Sequence, residues 1–138
     1  MIKRNSIGVL GGTFDPIHIG HTSIANHVLK QCRLDEILLI PNFTSANKTA
    51  VATAMQRLAM TKLATAELAG ISACDIEITR QGVSYSIDTL QQLKTQHPYS
   101  ALSFIIGDDI LNNIDQWKRF DELLGLCHLV VVSRQNNL

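Results

Sequence analysis

The sequence predicts an α/β domain built on a doubly wound parallel sheet. Short apolar runs of strand length alternate with segments of helical spacing along the 138 residues. Several of these runs are too uniformly apolar for a sheet with one face in water, which is typical of buried parallel strands. A β-α-β alternation of this kind implies right-handed crossovers and a doubly wound sheet. In such a sheet, ligands lie at the carboxyl ends of the strands.

The apolar runs predict about five strands, at Ser6–Leu10, Glu36–Ile40, Ser72–Ile78, Leu102–Ile106 and His128–Ser133. Helices are expected between them, over His21–Gln31, Ala54–Ala69, Ser86–Gln96 and, in broken form, Asp109–Leu124. The second helix is supported by an apolar stripe at helical spacing, formed by Met55, Ala59, Leu63 and Ala66. Gly70 and Pro98 are expected to stop helices.

The composition is that of a small globular domain, with 46% hydrophobic and 17% charged residues and a net charge of zero. This balance gives no indication of a nucleic-acid or membrane-surface partner. The apolar runs are too short to span a membrane, and no signal segment opens the chain. Cys32, Cys74 and Cys127 are widely spaced without a C-x-x-C pair, which predicts a reduced, cytoplasmic compartment, no zinc site, and thiols that serve as buried small hydrophobes.

The most informative segment is the string GGTFDPIHIGH at residues 11–21, between the first strand and the first helix. Glycines after a strand let the backbone approach a ligand closely, and Pro16 stiffens the turn. The helix that follows directs its unsatisfied N–H groups at whatever anion lies there. The segment therefore indicates a phosphate-binding turn, for which a nucleoside triphosphate is the natural ligand.

His18 and His21 stand three residues apart at the start of that helix, so both imidazoles lie on one face near the positive end of the helix dipole. Both can then donate to one polyphosphate, and Gly20 leaves room for the nucleotide. Such a site needs no nucleophile, because phosphoryl chemistry depends mostly on positioning and electrostatics. Two unrelated surface histidines or an H-x-x-H metal pair remain alternatives.

Residues 11–21 resemble the HxGH signature of the nucleotidyltransferase superfamily, and the full string resembles the nicotinate-mononucleotide adenylyltransferases of NAD biosynthesis. This resemblance implies a Rossmann-like fold of the HxGH nucleotidyltransferase type. It also implies transfer of the adenylyl group of ATP to nicotinate mononucleotide, giving deamido-NAD and pyrophosphate by direct in-line attack. His18 and His21 would be catalytic, the backbone of Gly12, Thr13 and Phe14 would line the nucleotide channel, and Mg²⁺ would bind through the ATP phosphates.

Further residues match the same family at positions that the resemblance assigns to substrate binding. Lys48 matches a loop lysine after a strand ending in Pro-Asn, although the residues before it differ, and a solvated loop lysine is the alternative. Arg57 matches a family arginine that could either reach phosphate or cap local carboxylates. The segment Ser84–Leu90 is similar to the family's Ser-Tyr-Thr-x-x-Thr-Leu, which implies that Tyr85, Ser86 and Thr89 border the pyridine nucleotide. Without the resemblance, the residues alone predict that Ser86 is the N-cap of a helix.

Three places nearer the carboxyl terminus complete the resemblance. The family's Ile-Gly-x-Asp is matched by Ile106, Gly107 and Asp109, which implies ATP binding with Asp109 on ribose hydroxyls; a carboxylate at a helix start is the alternative. Trp117 would stack on the nicotinate ring, or it would anchor the core. Arg134 would lie near the same pocket and suit a nicotinate carboxylate.

The resemblance covers essentially the whole chain but only about the first two-thirds of a family member. The family's second signature, a Ser/Thr-rich turn ending in x-x-x-Arg, is not matched. We therefore expect residues 1–138 to form a single nucleotidyltransferase domain truncated at its C-terminus, or a shortened variant. An unpaired sheet edge would favour homo-oligomers. A transferase for phosphopantetheine or another acceptor, and a non-catalytic nucleotide-binding fragment, remain alternatives.

Overall fold

The computed structural model describes residues 5–45 and 49–133. Within these ranges the strands are β1 (Ser6–Gly12), β2 (Glu36–Pro41), β3 (Ile71–Ala73), β4 (Ala101–Gly107) and β5 (His128–Val132). The helices are α1 (Ile19–Gln31), α2 (Ala54–Thr65), α3 (Ile76–Arg80), α4 (Ser86–Gln96) and α5 (Phe120–Leu124). Two 3₁₀ turns, Asp108–Ile110 and Ile114–Gln116, connect β4 to α5. None of the described helices is both long and apolar enough to cross a membrane.

The described strands form one parallel sheet in the order β3-β2-β1-β4-β5. The chain moves outward from β1 through β2 to β3, then returns to pair β4 with the other side of β1. The strand order therefore reverses between β1 and β4, and this reversal opens a crevice at the carboxyl ends of the two strands. The predicted doubly wound parallel sheet is confirmed.

Apolar side chains cover both faces of this sheet, which explains why its strands read as continuous apolar runs. Successive residues of β4 alternate between the two faces: Phe104 and Ile106 pack with the buried residues of α3, α4 and α5. Ile105 packs instead with Ala25 and Val28 of α1. The sheet is therefore enclosed between layers of helix, and ligands reach it at its edges and ends.

The predicted strand Ser72–Ile78 is wrong over most of its length. The strand ends at Ala73, and residues from Ile76 form α3, in which the Thr79 N–H donates to the Asp75 carbonyl at 2.8 Å. Ile76 and Ile78 are two residues apart, so their spacing suits one face of a strand. Here Ile76, Glu77 and Ile78 are all buried in a single short helical turn.

The apolar stripe that supported the second helix faces solvent. Met55 and Leu63 are 65% and 79% exposed, and Ala59 and Ala66 are exposed too. The buried residues of α2 are instead Arg57, Leu58, Thr61 and Thr65.

The prediction for the cysteines is also wrong for Cys32, which is exposed, whereas Cys74 and Cys127 are partly buried. Burial raises the pKa of Cys74 and raises that of Cys127 to about 11. These two thiols pack against the core cluster on one sheet face.

The orientation of α2 gives a direct test of the fold. Replacing the buried Leu58 by alanine should lower the free energy of unfolding by about 2–4 kcal/mol, because it leaves a cavity. The matched change Leu63→Ala, on the exposed stripe, should alter it by less than about 0.5 kcal/mol. Urea denaturation of both variants measures the difference. Equal losses would contradict the orientation described for α2.

Candidate functional site

Two adjoining cavities occupy the carboxyl ends of β1 and β4. The histidine cavity has a volume of about 350 Å³, and its lining includes Phe14, His18, His21 and Gly107. The aromatic cavity has a volume of about 450 Å³, and its lining includes Glu77, Tyr85, Ser86, Trp117 and Lys118. Both cavities are bordered by Gly11, Gly12, Thr13, Ile105, Ile106 and Ile110. They therefore form a divided cleft that can hold two ligands side by side.

The two histidines stack on each other at the start of α1. Their ring centroids lie 3.8 Å apart at an interplanar angle of 28°. His18 is the N-cap, whose Nδ1 accepts a hydrogen bond from the Gly20 N–H at 3.1 Å. The Nδ1 atom of His21 in turn accepts from the His18 N–H at 3.1 Å. Phe14 packs edge-on against His21, with 5.0 Å between ring centroids.

These contacts fix the chemistry that each imidazole presents. A nitrogen that accepts a hydrogen bond carries no proton, so the neutral form of each ring holds its N–H at Nε2. Both rings line the histidine cavity. The pair therefore presents two Nε2–H donors near the positive end of the α1 dipole, an arrangement suited to an oxyanion.

Gly20 has a local role that differs from the predicted one. A Cβ atom at this position would lie 2.8 Å from Cε1 and 2.9 Å from Nδ1 of His18. The glycine is therefore required by the ring of His18, which folds back over the helix start. Gly20 lets His18 adopt the position that borders the histidine cavity.

Arg57 holds the turn between β1 and α1 in place through hydrogen bonds. It is only 1% exposed, and its guanidinium donates to the carbonyls of Thr13, Asn42 and Phe43 at 2.7–3.0 Å and to that of Ala52 at 3.2 Å. Burial lowers the pKa of Arg57, an effect that the Asp15 carboxylate opposes. Contrary to the predicted phosphate contact, these donors are committed to backbone carbonyls, so Arg57 positions the turn.

Asp15 provides a second tie, which sequence reasoning missed. Its two carboxylate oxygens accept from the N–H groups of Val51 and Ala52, at 2.6 and 3.0 Å. This contact attaches the segment before α2 to the turn that carries the histidines. An Asp-Pro step at a turn is a common local signal, so the sequence alone does not reveal this distant partner.

The aromatic cavity lies between the start of α4 and the segment after the second 3₁₀ turn. Trp117 is partly buried and packs edge-on against Phe104, with 5.9 Å between ring centroids. It also borders the cavity, so the core role and the ligand role are compatible. Ser86 lines the cavity as the first residue of α4, while Tyr85 is the N-cap. The alternative that Ser86 caps the helix is therefore wrong.

Glu77 is a buried carboxylate on this cavity that sequence reasoning missed. Its Oε2 accepts from the Thr89 hydroxyl at 2.6 Å, and Thr89 also accepts from Arg80 at 3.0 Å. Burial raises the pKa of Glu77, while hydrogen bonds from Thr89 and Ser84 and the charge of Arg80 oppose the rise. Thr89 is only 2% exposed, so it holds Glu77 in place instead of meeting a ligand directly.

The remaining predicted site residues are distributed as follows. Gly107 lines the histidine cavity, and Asp109 is an exposed residue of the adjoining 3₁₀ turn. Lys48 and Arg134 lie outside the described residues. Among residues 5–45 and 49–133, no group of three or more His, Cys, Asp or Glu side chains is placed to hold a metal ion.

The fold and the position of the cleft define a Rossmann-like α/β domain whose cleft lies at the topological switch point of the sheet. Residues 9–138 match the family model described as cytidylyltransferase-like, and the chain belongs to this family. It is 43% identical over 129 residues to a probable nicotinate-nucleotide adenylyltransferase of Shewanella woodyi, covering 93% of this chain and 62% of that protein. A protein of the same name from a Geobacter species is 42% identical over 130 residues, covering 93% and 60%.

The chain thus spans about three-fifths of the length of these curated relatives. Among solved structures, it is similar to the Plasmodium falciparum nicotinic acid mononucleotide adenylyltransferase complexed with NaAD, with a TM-score of 0.85 at 20% identity. That match covers 96% of this chain and 66% of the Plasmodium chain. At this level of identity, the similarity confirms the fold.

The supporting role of Arg57 can be tested by its conversion to lysine. A lysine cannot reproduce the planar fork of donors, so backbone carbonyls lose their partners. Since hydrogen bonds to charged groups contribute about 1.5–3 kcal/mol each, we expect Arg57→Lys to lower the free energy of unfolding by about 3 kcal/mol. The exposed control Arg33→Lys should change it by less than about 0.5 kcal/mol. Similar values from denaturant titration of the two variants would refute this role.

The raised pKa of Glu77 predicts how stability depends on pH. The folded protein favours the protonated carboxyl, so its stabilising contribution is complete below the unfolded pKa and is lost as pH rises through the folded pKa. Relative to wild type, Glu77→Gln should therefore gain stability as pH rises above the ordinary value of 4.5. Urea denaturation from about pH 4 to about pH 8 measures this slope. The exposed Glu67→Gln is the control, and parallel slopes for all three proteins would contradict the expectation.

Proposed function

We propose that this domain transfers the adenylyl group of ATP to nicotinate mononucleotide, giving deamido-NAD and pyrophosphate. The observation that carries the proposal is the divided cleft, in which a cavity with stacked histidines adjoins a cavity with aromatic walls. The first suits a polyphosphate, and the second suits a flat ring. The similarity to two bacterial proteins named as probable nicotinate-nucleotide adenylyltransferases supports the same pair of substrates.

In this proposal the triphosphate of ATP lies in the histidine cavity and the mononucleotide lies in the aromatic cavity. An oxygen of the mononucleotide phosphate attacks the α-phosphorus of ATP and forms the new P–O bond. The bond from the α-phosphorus to the oxygen that bridges it to the β-phosphorus breaks, and that oxygen leaves with pyrophosphate. The two substrates meet beside Gly12 and Thr13, which border both cavities.

The histidines would act on the charge that develops on the leaving group. Their Nε2–H donors, together with the positive end of the α1 dipole, would stabilise the negative charge on the pyrophosphate oxygens. Because the rings are held by the helix cap, they need little reorganisation during the reaction. No covalent intermediate is needed, since the pair supplies hydrogen bonds and charge and does not attack phosphorus.

Mg²⁺ is proposed only as part of the ATP substrate, bound through phosphate oxygens. We also propose that the reaction takes place in the cytoplasm. The three thiols are free in this structure, as a reducing compartment would require. Asp109 and Gly107 would border the nucleotide near the carboxyl end of β4.

The reaction is tested by measuring pyrophosphate release by this chain with ATP, Mg²⁺ and nicotinate mononucleotide. Parallel assays with nicotinamide mononucleotide and phosphopantetheine identify the acceptor. We expect turnover with nicotinate mononucleotide. Turnover with phosphopantetheine alone would indicate a different transferase, and binding of ATP without turnover on any acceptor would indicate a nucleotide-binding fragment.

The role of His18 requires a variant that separates catalysis from helix capping. His18→Ala removes both the Nδ1 acceptor and the Nε2–H donor, and its rate should fall by about 10²–10³. His18→Ser keeps a side-chain oxygen that can cap α1 but lacks the distant donor. We expect the serine variant to lose activity as severely while keeping more of the stability. Near-wild-type activity in His18→Ser would mean that His18 acts only as a helix cap.

A further inference from the structure

Lys118 introduces a positive charge into the aromatic cavity, where sequence reasoning assigned it no role. We propose that its ammonium group makes this cavity selective for an acceptor whose pyridine ring carries a carboxylate rather than an amide. The inference rests on the proposed function and names the residue that would discriminate nicotinate mononucleotide from nicotinamide mononucleotide.

The charges that border the cavity favour this role. Among the described residues that line it, the charged side chains are Glu77 and Lys118. The Glu77 carboxylate is buried and accepts a hydrogen bond from Thr89 at 2.6 Å. Burial raises the pKa of Glu77, while hydrogen bonds from Thr89 and Ser84 and the charge of Arg80 oppose the rise. Among the described side chains that line the cavity, Lys118 therefore supplies the positive charge.

The ammonium group of Lys118 is held in place by two neighbours. Its Nζ lies 4.5 Å from the ring centroid of Tyr85 and 3.5 Å from Oδ2 of Asp88. An ammonium has three N–H donors, and these contacts account for at most two of them. Asp88 also accepts from Nη2 of Arg119 at 3.0 Å, so its charge is shared between two cations. One donor of Lys118 therefore remains for a ligand among the described contacts.

Aromatic side chains that can bind a flat ring lie beside this charge. Trp117 and Tyr85 line the same cavity as Lys118, and Trp117 precedes it directly in the chain. A pyridine ring stacked on either side chain would share the cavity with the ammonium group. A carboxylate differs from an amide by a full negative charge, and an ammonium forms the stronger, charge-assisted hydrogen bond with the carboxylate.

The test compares Lys118→Met with wild type for both nicotinate and nicotinamide mononucleotide. Trp117 is the only tryptophan, so its fluorescence reports ligand binding in the aromatic cavity even without turnover. We expect Lys118→Met to weaken binding of nicotinate mononucleotide by about tenfold and to leave nicotinamide mononucleotide unchanged. Lys118→Arg should keep the preference for the acid. The side chain of Lys118 is 46% exposed, so the variants should fold.

Two controls remove the same charge elsewhere. Lys30→Met changes an exposed lysine in the last turn of α1, at the opposite end of that helix from the histidines. Lys62→Met changes an exposed lysine in the last turn of α2, outside the residues that line the aromatic cavity. We expect both control variants to keep the wild-type ratio of the two affinities.

The outcomes separate this inference from the function on which it rests. An equal loss for both mononucleotides in Lys118→Met would mean that Lys118 contacts the phosphate they share, and this would overturn the inference. An unchanged ratio of the two affinities in Lys118→Met would also overturn the inference. Turnover of nicotinate mononucleotide by the wild-type chain would still leave the proposed function intact. Wild type that binds neither mononucleotide would contradict the proposed function itself, and the inference would fall with it.

Discussion

The buried guanidinium of Arg57 is the interaction on which the ligand cleft depends. It draws together backbone carbonyls from three segments: Thr13 after β1, Asn42 and Phe43 after β2, and Ala52 before α2. Parallel strands bring their carboxyl ends to one edge of the sheet, but they do not determine how the loops leave it. A group with several donors in a fixed fork can satisfy carbonyls that would otherwise be buried without partners. Arg57 thereby fixes the loops at this sheet edge, and these loops form one wall of the cleft.

The same constraint explains the unusual face that α2 buries. Arg57, Thr61 and Thr65 follow one another at intervals of four residues and share one side of the helix. The Thr61 hydroxyl donates to the Arg57 carbonyl at 2.8 Å, and the Thr65 hydroxyl donates to the Thr61 carbonyl at 2.9 Å. These polar groups are satisfied within the helix, so their burial costs little. Because Arg57 faces the cleft, the side of α2 that carries Met55 and Leu63 faces solvent.

Much of the fold could be predicted because strand-sized apolar runs and helix stops are local signals. The bounds of α4 match the prediction, and the histidine turn lies directly after the first strand, where it was expected. The errors arise where a pattern is compatible with two structures. Ile76 and Ile78 fit a strand as well as a helical turn, and periodicity cannot tell which side of α2 packs inward. The partners of Arg57, Asp15 and Glu77 are distant in sequence, so no local pattern reveals them.

The two halves of the cleft are held by forces of different kinds. On the histidine side, the buried Arg57 and the helix cap fix the turn through several hydrogen bonds. On the aromatic side, the wall that carries Trp117 is joined to α4 through Asp88, whose partners Lys118 and Arg119 are 46% and 40% exposed. Exposed pairs of this kind contribute only about 0.2–1 kcal/mol each. The histidine half is therefore preorganised, which would suit charge stabilisation in the proposed reaction. The aromatic half is joined more weakly, so in the same reaction it would adjust around a ring and return to its resting contacts when the product leaves.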